Sequence, residues 1–503
     1  MTRTSHNLGA IVSGAPEPAK IAVIDFDGER SREVDYRQLD ALADGVARAL
    51  RARGLGPGQR VAILAANSSD HLAVHFGTMR AGMVSVPVNH RLPAETVKQI
   101  IADAGAEIVF CDRERRSLVP PGATAIDFDA PGGLGAFADP GPFETVEVAA
   151  DDPAVILYTS GSTGRPKGVV MSHGGLRWVV DTRLAGAPIA AERFLIAAPL
   201  YHLNALALAH LVFAGRGTMV LMPQFKVRPY IAAIARFRCT WLTSVPPMIA
   251  MMLEDREAIA GADFSSVRSL RMGSAPVSPS LYGKIRQQFP QARIVNAYGT
   301  TEGSPVVFGP HPDGRPTPPD SLGHSHPAVS LRLVDDEGRV GDAGVLQIRS
   351  PGLMTGYHNR PDLTPFTADG YYATGDLFRR DGDGFYYFLG RADDMFVSGG
   401  ENIFPGQVEG LLEMHPEVVQ ACVVPIDDPI KGQKPVAFVR LNAGSGVDAD
   451  ALKAFALERG PAYQHPRAIW FLDDFPLAST NKIDRAALKT RARQLAQRES
   501  ASN

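Results

Sequence analysis

The first part of the chain alternates between short apolar runs and longer segments with apolar residues at helical spacing. Apolar residues recur every three or four positions from Tyr36 to Arg53, which predicts an amphipathic helix that ends before Gly54–Gly58. The alternation also predicts strands Ala22–Phe26, Arg60–Leu64, Val84–Val88 and Glu107–Cys111, and helices Asp70–Ala81 and Pro93–Ala104. Strands that alternate with helices predict parallel sheets with helices on their faces, and this rhythm continues to about Val307.

The pattern changes in the last third of the chain. Short strands separated by Asp-Gly turns predict a β-rich subdomain at about 321–389, and an α+β pattern follows it, so we place a domain boundary between residues 392 and 393. The predicted elements are strands Leu331–Val334, Val345–Arg349, Tyr386–Leu389, Val418–Val424 and Val436–Leu441, and helices Gln407–Met414 and Ala449–Glu458. The glycine- and proline-containing segment Pro131–Pro142 is predicted to be a surface loop.

Composition and charge exclude several classes of protein. Lys and Arg total 51 against 54 Asp and Glu, and this net charge of −3 argues against a basic nucleic-acid-binding surface. Cys111, Cys239 and Cys422 have no metal-ligand spacing and are interpreted as buried residues in a reducing compartment. The segment Met1–Lys20 lacks the apolar run of a signal peptide, and no apolar run is long enough to span a membrane. We therefore expect a soluble cytoplasmic protein.

A loop rich in glycine and hydroxyl residues follows the apolar segment Ala154–Leu157. It reads Tyr-Thr-Ser-Gly-Ser-Thr-Gly-Arg-Pro-Lys-Gly from Tyr158 to Gly168. Its glycines let the backbone approach an anion, its hydroxyls and amides donate hydrogen bonds, and Lys167 adds positive charge. Pro166 stands where the Walker pattern needs its second glycine, so the loop is of another kind. Phosphate binding is favoured over an ordinary surface turn.

Further motifs follow the loop in the order of one enzyme superfamily. They are Pro199-Leu200-Tyr201-His202, Gly273-Ser274-Ala275-Pro276, Asn296-Ala297-Tyr298-Gly299-Thr300-Thr301-Glu302, Thr374-Gly375-Asp376, Gly390-Arg391-Ala392-Asp393 and Asn481-Lys482. With the loop, this set resembles the adenylate-forming superfamily of acyl-CoA synthetases, luciferases and nonribosomal-peptide adenylation domains. The resemblance extends from Tyr36 to Leu488. The resemblance depends on the number and order of the motifs, since Glu302, Asp376 or Lys482 alone would be interpreted as a surface residue.

The resemblance implies an α/β fold with a large N-terminal domain of α/β sheets, its β-rich subdomain, and a small mobile C-terminal α+β domain. It implies an AMP-forming acid–thiol ligase, which makes an acyl-adenylate from a small-molecule carboxylic acid and passes the acyl group to coenzyme A. The implied cofactors are ATP, Mg2+ and coenzyme A. A ligase that loads a carrier protein and a nucleotide-binding pseudoenzyme are the alternatives. No nucleic acid is implied as a partner, and a homodimer stays open.

The resemblance also assigns residues to the nucleotide. ATP or AMP is expected to contact Thr159, Ser160, Gly161, Ser162, Thr163, Gly164, Lys167, Ser274, Ala275, Pro276, Asn296, Ala297, Tyr298, Gly299, Thr300, Thr301, Asp376, Arg391 and Lys482. Glu302 and Thr163 are expected to hold Mg2+, and Lys482 to offset the repulsion between carboxylate and phosphate. The expected catalytic residues are Lys482, His202, Glu302 and Thr163.

The acid and thiol sites are implied in the same way. The acyl pocket is expected to comprise His202, Leu203, Asn204, Pro247, Met248, Met251, Gly273, Gly303 and Ser304, although His202 and the methionines are equally typical of a core. His202 is the one basic residue among them, which predicts an aryl or medium-chain monocarboxylic acid rather than malonate or succinate. Ser398, Gly399, Gly400 and Glu401 are expected to line a pantetheine tunnel, and Asp393 to be the hinge.

Overall fold

The structure, a computed structural model, describes residues 6–159, 166–186, 188–273, 277, 279–478 and 483–502. The helices are α1 (Tyr36–Ala52), α2 (Ser69–Arg80), α3 (Ala94–Ala104), α4 (Gly133–Phe137), α5 (His173–Leu184), α6 (Leu203–Ala214), α7 (Val227–Arg236), α8 (Pro246–Glu254), α9 (Arg256–Ala260), α10 (Pro279–Gln288), α11 (Pro405–Glu413), α12 (Ala449–Arg459) and α13 (Arg485–Ser502), with 3-10 helices at Leu8–Val12 and Arg113–Leu118. Among the described residues, none of these helices combines the length and hydrophobicity that a bilayer crossing needs.

The strands fall into two groups along the chain. In the N-terminal part they are β1 (Ile21–Phe26), β2 (Ser31–Asp35), β3 (Arg60–Leu64), β4 (Val84–Pro87), β5 (Ile108–Cys111), β6 (Thr124–Asp127), β7 (Pro153–Thr159), β8 (Lys167–Ser172), β9 (Arg193–Ile196), β10 (Thr218–Leu221), β11 (Trp241–Ser244), β12 (Ser269–Gly273) and β13 (Arg293–Ala297). Further on they are β14 (Phe308–Gly309), β15 (Gly323–Ser325), β16 (Ser330–Val334), β17 (Val340–Gly341), β18 (Ala343–Arg349), β19 (Gly356–Tyr357), β20 (Tyr372–Arg380), β21 (Phe385–Arg391), β22 (Phe396–Ser398), β23 (Glu401–Ile403), β24 (Val418–Asp428), β25 (Gly432–Leu441) and β26 (Ile469–Phe471).

Two mostly parallel sheets form the N-terminal part, as the alternation of strands and helices predicts. Their strand orders are β13-β12-β11-β9-β10-β1-β2 and β19-β8-β7-β4-β3-β5-β6. Among the described strands of these two sheets, only the pairs β1–β2, β7–β8 and β8–β19 are antiparallel. The helix α2 contacts β1 of one sheet and β3 and β4 of the other, and it is buried apart from Asp70. Leu203–Ala214 is apolar on every side, which explains why α6 is also buried.

The remaining sheets are antiparallel or nearly so. The order β14-β15-β21-β20-β18-β16-β17 spans residues 308–391, and the order β23-β22-β25-β24, with β26 parallel to β25, spans residues 396–471. These two sheets and the parallel ones confirm the predicted α/β class with a β-rich part and a small α+β part. The connection between β21 and β22 contains Asp393, and the domain boundary and hinge there stay predictions.

Most predicted elements occur within one or two residues of their expected positions, but the surface-loop prediction for Pro131–Pro142 was wrong. The segment contains α4, whose Leu134 and Phe137 are buried. The Phe137 ring packs edge-on against Phe110 with centroids 4.9 Å apart, and the guanidinium of Arg53 lies 4.1 Å from its centroid. A single helical turn is too short to show periodicity, and these distant contacts hold it.

Candidate nucleotide and acyl site

Glu302 lies where the end of the glycine-rich loop meets the Asn296–Glu302 motif. Thr159 Oγ1 and Tyr357 Oη each donate to Glu302 Oε1 at 3.4 Å. Lys167 Nζ lies 5.5 Å from the centroid of the Tyr357 ring. Burial raises the pKa of the Glu302 carboxyl, and the two hydroxyls and the charge of Lys167 act against that rise. The carboxylate form of Glu302 would therefore be stabilised further by a cation beside it.

Asp376 and Arg391 meet across paired strands. The pairing of β20 with β21 places them opposite each other, and Arg391 Nη1 lies 3.1 Å from Asp376 Oδ1. Tyr298 Oη donates a hydrogen bond to the other carboxylate oxygen, and burial together with the charge of Asp376 raises the pKa of Tyr298 well above its usual value. Tyr298 thus stays protonated as a donor. Asp376 is 4% exposed while Arg391 is partly exposed, so a carboxylate and a guanidinium lie together at the surface of the sheet.

Local hydrogen bonds and backbone geometry explain why the segment Thr374-Gly375-Asp376 has this sequence. Thr374 Oγ1 donates to Leu346 O at 2.9 Å and accepts from Asp376 N at 3.0 Å. These two bonds fix the backbone that carries the Asp376 carboxylate. Gly375 has φ +72°, a conformation that residues with a side chain rarely adopt. Its carbonyl accepts from Ala392 N at 2.8 Å. The turn at Gly375 therefore ties β20 to the end of β21, where Arg391 lies.

The chain folds back tightly around Glu302. Thr300 Oγ1 accepts from Gly303 N at 2.7 Å, and Ser304 has φ +81°. A Cβ on Gly299 would lie 2.7 Å from Ser304 O, so this position requires glycine. Gly303 and Ser304, both predicted to line the acyl pocket, are buried within this turn. Gly273 pairs with Ala297 in the neighbouring strands, so the second pocket segment adjoins the nucleotide motif.

The predicted pantetheine segment is a two-residue hairpin. Ser398 pairs with Glu401, and Gly399 and Gly400 connect them with φ values of +61° and +89°. Two successive positive φ angles define the type I′ turn, which glycine tolerates best. Gly399 N donates to Lys431 O at 3.0 Å, which attaches the hairpin to the connection between β24 and β25. The two glycines and Glu401 are exposed, and Ser398 is buried.

His202 precedes α6, where Asn67 fixes the backbone. Asn67 Nδ2 donates to Ala198 O at 2.9 Å, and Asn67 Oδ1 accepts from Leu200 N at 2.8 Å. The rings of Tyr201 and His202 pack edge to face with centroids 4.7 Å apart. His202 and Asn204 are partly exposed, whereas Leu203 between them is buried. The start of α6 thus carries two partly exposed polar residues, and the Nε2 atom of His202 is itself buried.

A basic residue that the predicted pocket segments do not contain lies beside Asn204. Arg271 Nη1 donates to Asn204 Oδ1 at 2.8 Å, although Arg271 lies on β12 and outside the segments expected to line the pocket. Met248 and Met252 belong to the hydrophobic core around α8, and Met251 is partly exposed. Pro247 is buried at the start of the same helix.

Several predicted site residues lie outside the described residues: Ser160, Gly161, Ser162, Thr163, Gly164, Ser274, Ala275, Pro276 and Lys482. Their roles stay predictions. The described residues on either side of the gaps, such as Thr159, Lys167 and Gly273, border the clusters around Glu302 and Ala297.

Comparison with known proteins decides the family. The sequence matches the family model described as AMP-binding enzyme over residues 12–358 and the AMP-binding enzyme C-terminal domain over residues 407–482. The chain belongs to the AMP-binding enzyme family. It is 33% identical to a feruloyl-CoA synthase from an Amycolatopsis species, covering 91% of this chain and 93% of that protein. It is 32% identical to a fatty acid–[acyl-carrier-protein] ligase from Streptomyces coeruleorubidus, covering 92% of each.

Solved structures of AMP-binding enzymes share the fold. An anthranilate CoA ligase in complex with anthranoyl-AMP superposes with a TM-score of 0.88 at 25% identity, covering 98% of both chains. This chain is accordingly an AMP-forming acyl-CoA synthetase, with ATP, a carboxylic acid and coenzyme A as its substrates.

The residues around Glu302 fit the magnesium ion that such an AMP-binding enzyme implies. A carboxylate and the hydroxyls of Thr159 and Tyr357 are hard oxygen donors, which Mg2+ prefers. Among the described residues no group of three or more histidines, cysteines or carboxylates could enclose a metal by itself. One carboxylate suffices for Mg2+ when substrate phosphates supply the other ligands.

Besides Arg271, sequence reasoning missed Tyr357 and Asn67. Tyr357 belongs to none of the motifs, and nothing in its surroundings distinguishes it. Asn67 could have been predicted from the sequence, because a polar residue just after the parallel strand β3 lies at the sheet edge where ligands bind in α/β folds. We interpreted Asn67-Ser68-Ser69 only as an incidental glycosylation sequence, whereas its asparagine is 7% exposed and bonded to the backbone before His202.

Proposed function

We propose that this acyl-CoA synthetase activates an aryl or medium-chain carboxylic acid at the junction of the two clusters described above. The observation that carries the proposal is that four motifs, which supply Asp376, Arg391, Glu302 and the loop residues Thr159 and Lys167, form two polar clusters joined by the Asn296–Glu302 segment. The similarity to a feruloyl-CoA synthase and to an anthranilate CoA ligase supports an aromatic acid.

In the first half-reaction, Asp376 accepts hydrogen bonds from the ribose hydroxyls, and Arg391 donates from the same side. Lys167 and the loop before it bind the β- and γ-phosphates. Glu302 and Thr163 would hold Mg2+, which neutralises phosphate charge when bound. A carboxylate oxygen of the acid attacks the α-phosphorus, and the bond to pyrophosphate breaks. Lys482 reduces the repulsion between the two anions as they approach.

In the second half-reaction, the coenzyme A thiolate attacks the acyl carbon and AMP leaves with the bonding electrons. We infer that the C-terminal part rotates about Asp393 between the two halves, which withdraws Lys482 and brings in the Ser398–Glu401 hairpin. That hairpin suits a narrow thiol channel, because its two central residues have no side chains.

A carrier protein is the second candidate for the acyl acceptor. The similarity to a fatty acid–[acyl-carrier-protein] ligase favours it at the same level of identity as the CoA ligases. Both acceptors present the same pantetheine thiol, so the hairpin argument applies to either. AMP release measured with coenzyme A and with a phosphopantetheinylated carrier protein distinguishes them.

Pyrophosphate release with ATP, Mg2+ and a panel of benzoate, cinnamate, hexanoate and acetate tests the proposal. Asp376→Asn should lower kcat/KM for ATP by about 100-fold, because a charged acceptor of the ribose is lost. Asp369→Asn is the matched control, since Asp369 is an exposed carboxylate of the same region that pairs with Arg332. Release with none of these acids, or equal loss in both variants, contradicts the proposal.

A further inference from the structure

Two arginines near the start of α6 lack the counter-ion that buried arginines normally have. Arg271 Nη1 donates to Asn204 Oδ1, and its guanidinium has no ion pair with the described residues. Arg183, in the last turn of α5, makes neither a hydrogen bond nor an ion pair with any residue that the structure describes.

Both guanidinium groups are deep in the molecule and close to each other. Desolvation lowers the pKa of Arg271 to about 10, and desolvation and the charge of Arg271 lower the pKa of Arg183 to about 9. Both stay charged at neutral pH. Both residues as a whole are partly exposed. Two deep cations without a carboxylate partner among the described residues favour an anion beside them.

The fold elsewhere neutralises such charges. Arg80, which is fully buried, forms ion pairs with two aspartates of α1, and Arg485 forms a bidentate pair with a glutamate of α11. A cation in the last turn of a helix is favoured by the helix dipole, which accounts for part of the position of Arg183. That effect does not explain why Arg271 lies beside it with one amide oxygen as its partner.

The pair lies beside the predicted acyl pocket. Asn204, which holds Arg271, is two residues after His202 at the start of α6. Arg271 is two residues before Gly273 on β12, and Gly273 pairs with Ala297 of the nucleotide motif. The hydrogen bond that Arg271 donates to Asn204 orients the guanidinium and uses one of its five N–H donors, which leaves a fork suited to a bidentate oxyanion.

We propose that the acid activated here carries a second anionic group, a carboxylate or a sulfonate, which Arg271 and Arg183 bind at the end remote from the reacting carboxyl. This inference rests on the proposed function, since it concerns the acid that enters that pocket. It replaces the expectation of a monocarboxylic acid, which rested on a pocket without arginine. Asn204 is a positioning residue that holds Arg271 for the remote group.

The test compares acids that differ only in the remote group: hexanoate with adipate, benzoate with terephthalate, and propanoate with 3-sulfopropanoate. Pyrophosphate release should give kcat/KM values about 100-fold higher for the preferred doubly anionic acid than for its matched partner. Arg271→Met should lower that value by about 100-fold and leave the monocarboxylic acid within a few-fold, so the preference disappears. Arg271→Lys should recover part of it, because charge returns without the fork.

Arg177→Met is the matched control, since Arg177 is an exposed arginine on the same helix as Arg183 and pairs with Asp181. It should leave both kinds of acid unchanged, and Arg183→Met should act like Arg271→Met. Thermal melting and ATP binding check that each variant is folded. If the monocarboxylic acids are used as well or better and Arg271→Met leaves the ratio unchanged, the inference is overturned while the proposed function stands. If no acid in either set releases pyrophosphate, the proposed function itself fails.

Discussion

Buried histidines around α2, α5 and α6 set a lower pH limit for stability. His75 Nδ1 lies 2.8 Å from Ser85 Oγ, and His75 Nε2 lies 2.8 Å from His210 Nε2. One proton between the two rings satisfies that contact, and a second would make one ring a cation and leave two N–H groups facing each other. Leu8 N donates to His173 Nδ1 at 3.1 Å, so that nitrogen must keep its lone pair. The fold therefore requires these rings to be neutral.

The magnitude follows from the pKa shifts. Burial lowers the pKa of His71 and His173 to about 4 and that of His210 to about 3, from 6.5. Because the unfolded chain takes up these protons at higher pH than the folded one, the free energy of unfolding decreases as pH falls below 6.5. Between about pH 7 and pH 5 each ring removes about 2 kcal/mol. Burial raises the pKa of Asp25 to about 6, which restores about 1 kcal/mol over that interval.

Unfolding in guanidinium chloride at about pH 7, 6 and 5, followed by tryptophan fluorescence, should show a net loss of at least about 5 kcal/mol, because His75 and His90, whose pKa values burial also lowers, add to it. His210→Gln keeps a hydrogen-bonding side chain next to His75 and should reduce the loss by about 2 kcal/mol. His358→Gln is the control, because His358 is partly exposed and its ring contacts the carbonyl of Asp103 rather than these histidines, and it should leave the loss unchanged. A free energy of unfolding that stays constant from about pH 7 to pH 5 would refute this account of the histidines.

Four further predictions concern the site and its supports. Lys482→Ala should lose acyl-adenylate formation by several orders of magnitude yet still convert supplied acyl-adenylate and coenzyme A to thioester; equal loss in both assays contradicts its assigned role. Asp393→Pro should release pyrophosphate on the first turnover but make little thioester, because proline fixes φ at the proposed hinge; unchanged steady-state synthesis would place the hinge elsewhere. Glu409→Gln removes the partner of Arg485, whose side chain is 38% exposed, and should destabilise the C-terminal region by about 1 kcal/mol in thermal or chemical unfolding; an unchanged midpoint contradicts this. Arg271→Met should raise the melting temperature while activity falls, whereas a lower melting temperature would mean that the charge is compensated within the fold.

The hydrophobic pattern predicted the N-terminal elements well, because those strands and helices are long enough to show a period. The α1 helix begins at Tyr36 as expected, and Asp35 and Gln38 cap it reciprocally. The strand β20 was not anticipated, because Gly375 at positive φ interrupts the alternation and a register shift separates Leu377 from Phe378. Such an interruption of the strand pattern is more typical of a functional site than of a regular strand.

Only the resemblance to the adenylate-forming superfamily allowed the sequence to predict which residues form the functional clusters. Spacing along the chain does not show that Thr159 lies against Glu302, or that Tyr298 donates to Asp376, since each pair joins distant segments. Arg271 illustrates the limit most clearly. Its strand reads as an ordinary apolar segment with one cation, and only the packing of β12 against α6 reveals that this cation faces Asn204.

The arginines in the interior of this chain are of two kinds, those with a carboxylate partner and those without one among the described residues. Arg80 and Arg485 are neutralised by carboxylates of neighbouring helices, so their charge is satisfied before any ligand arrives. Arg271 and Arg183 are held without a carboxylate among the described residues, and an uncompensated buried charge costs several kcal/mol. A fold that selection had shaped for stability alone would replace them with apolar residues of similar size. The proposed second anionic group of the substrate would supply the missing negative charge, and its binding would recover the free energy that the uncompensated charge costs the free enzyme.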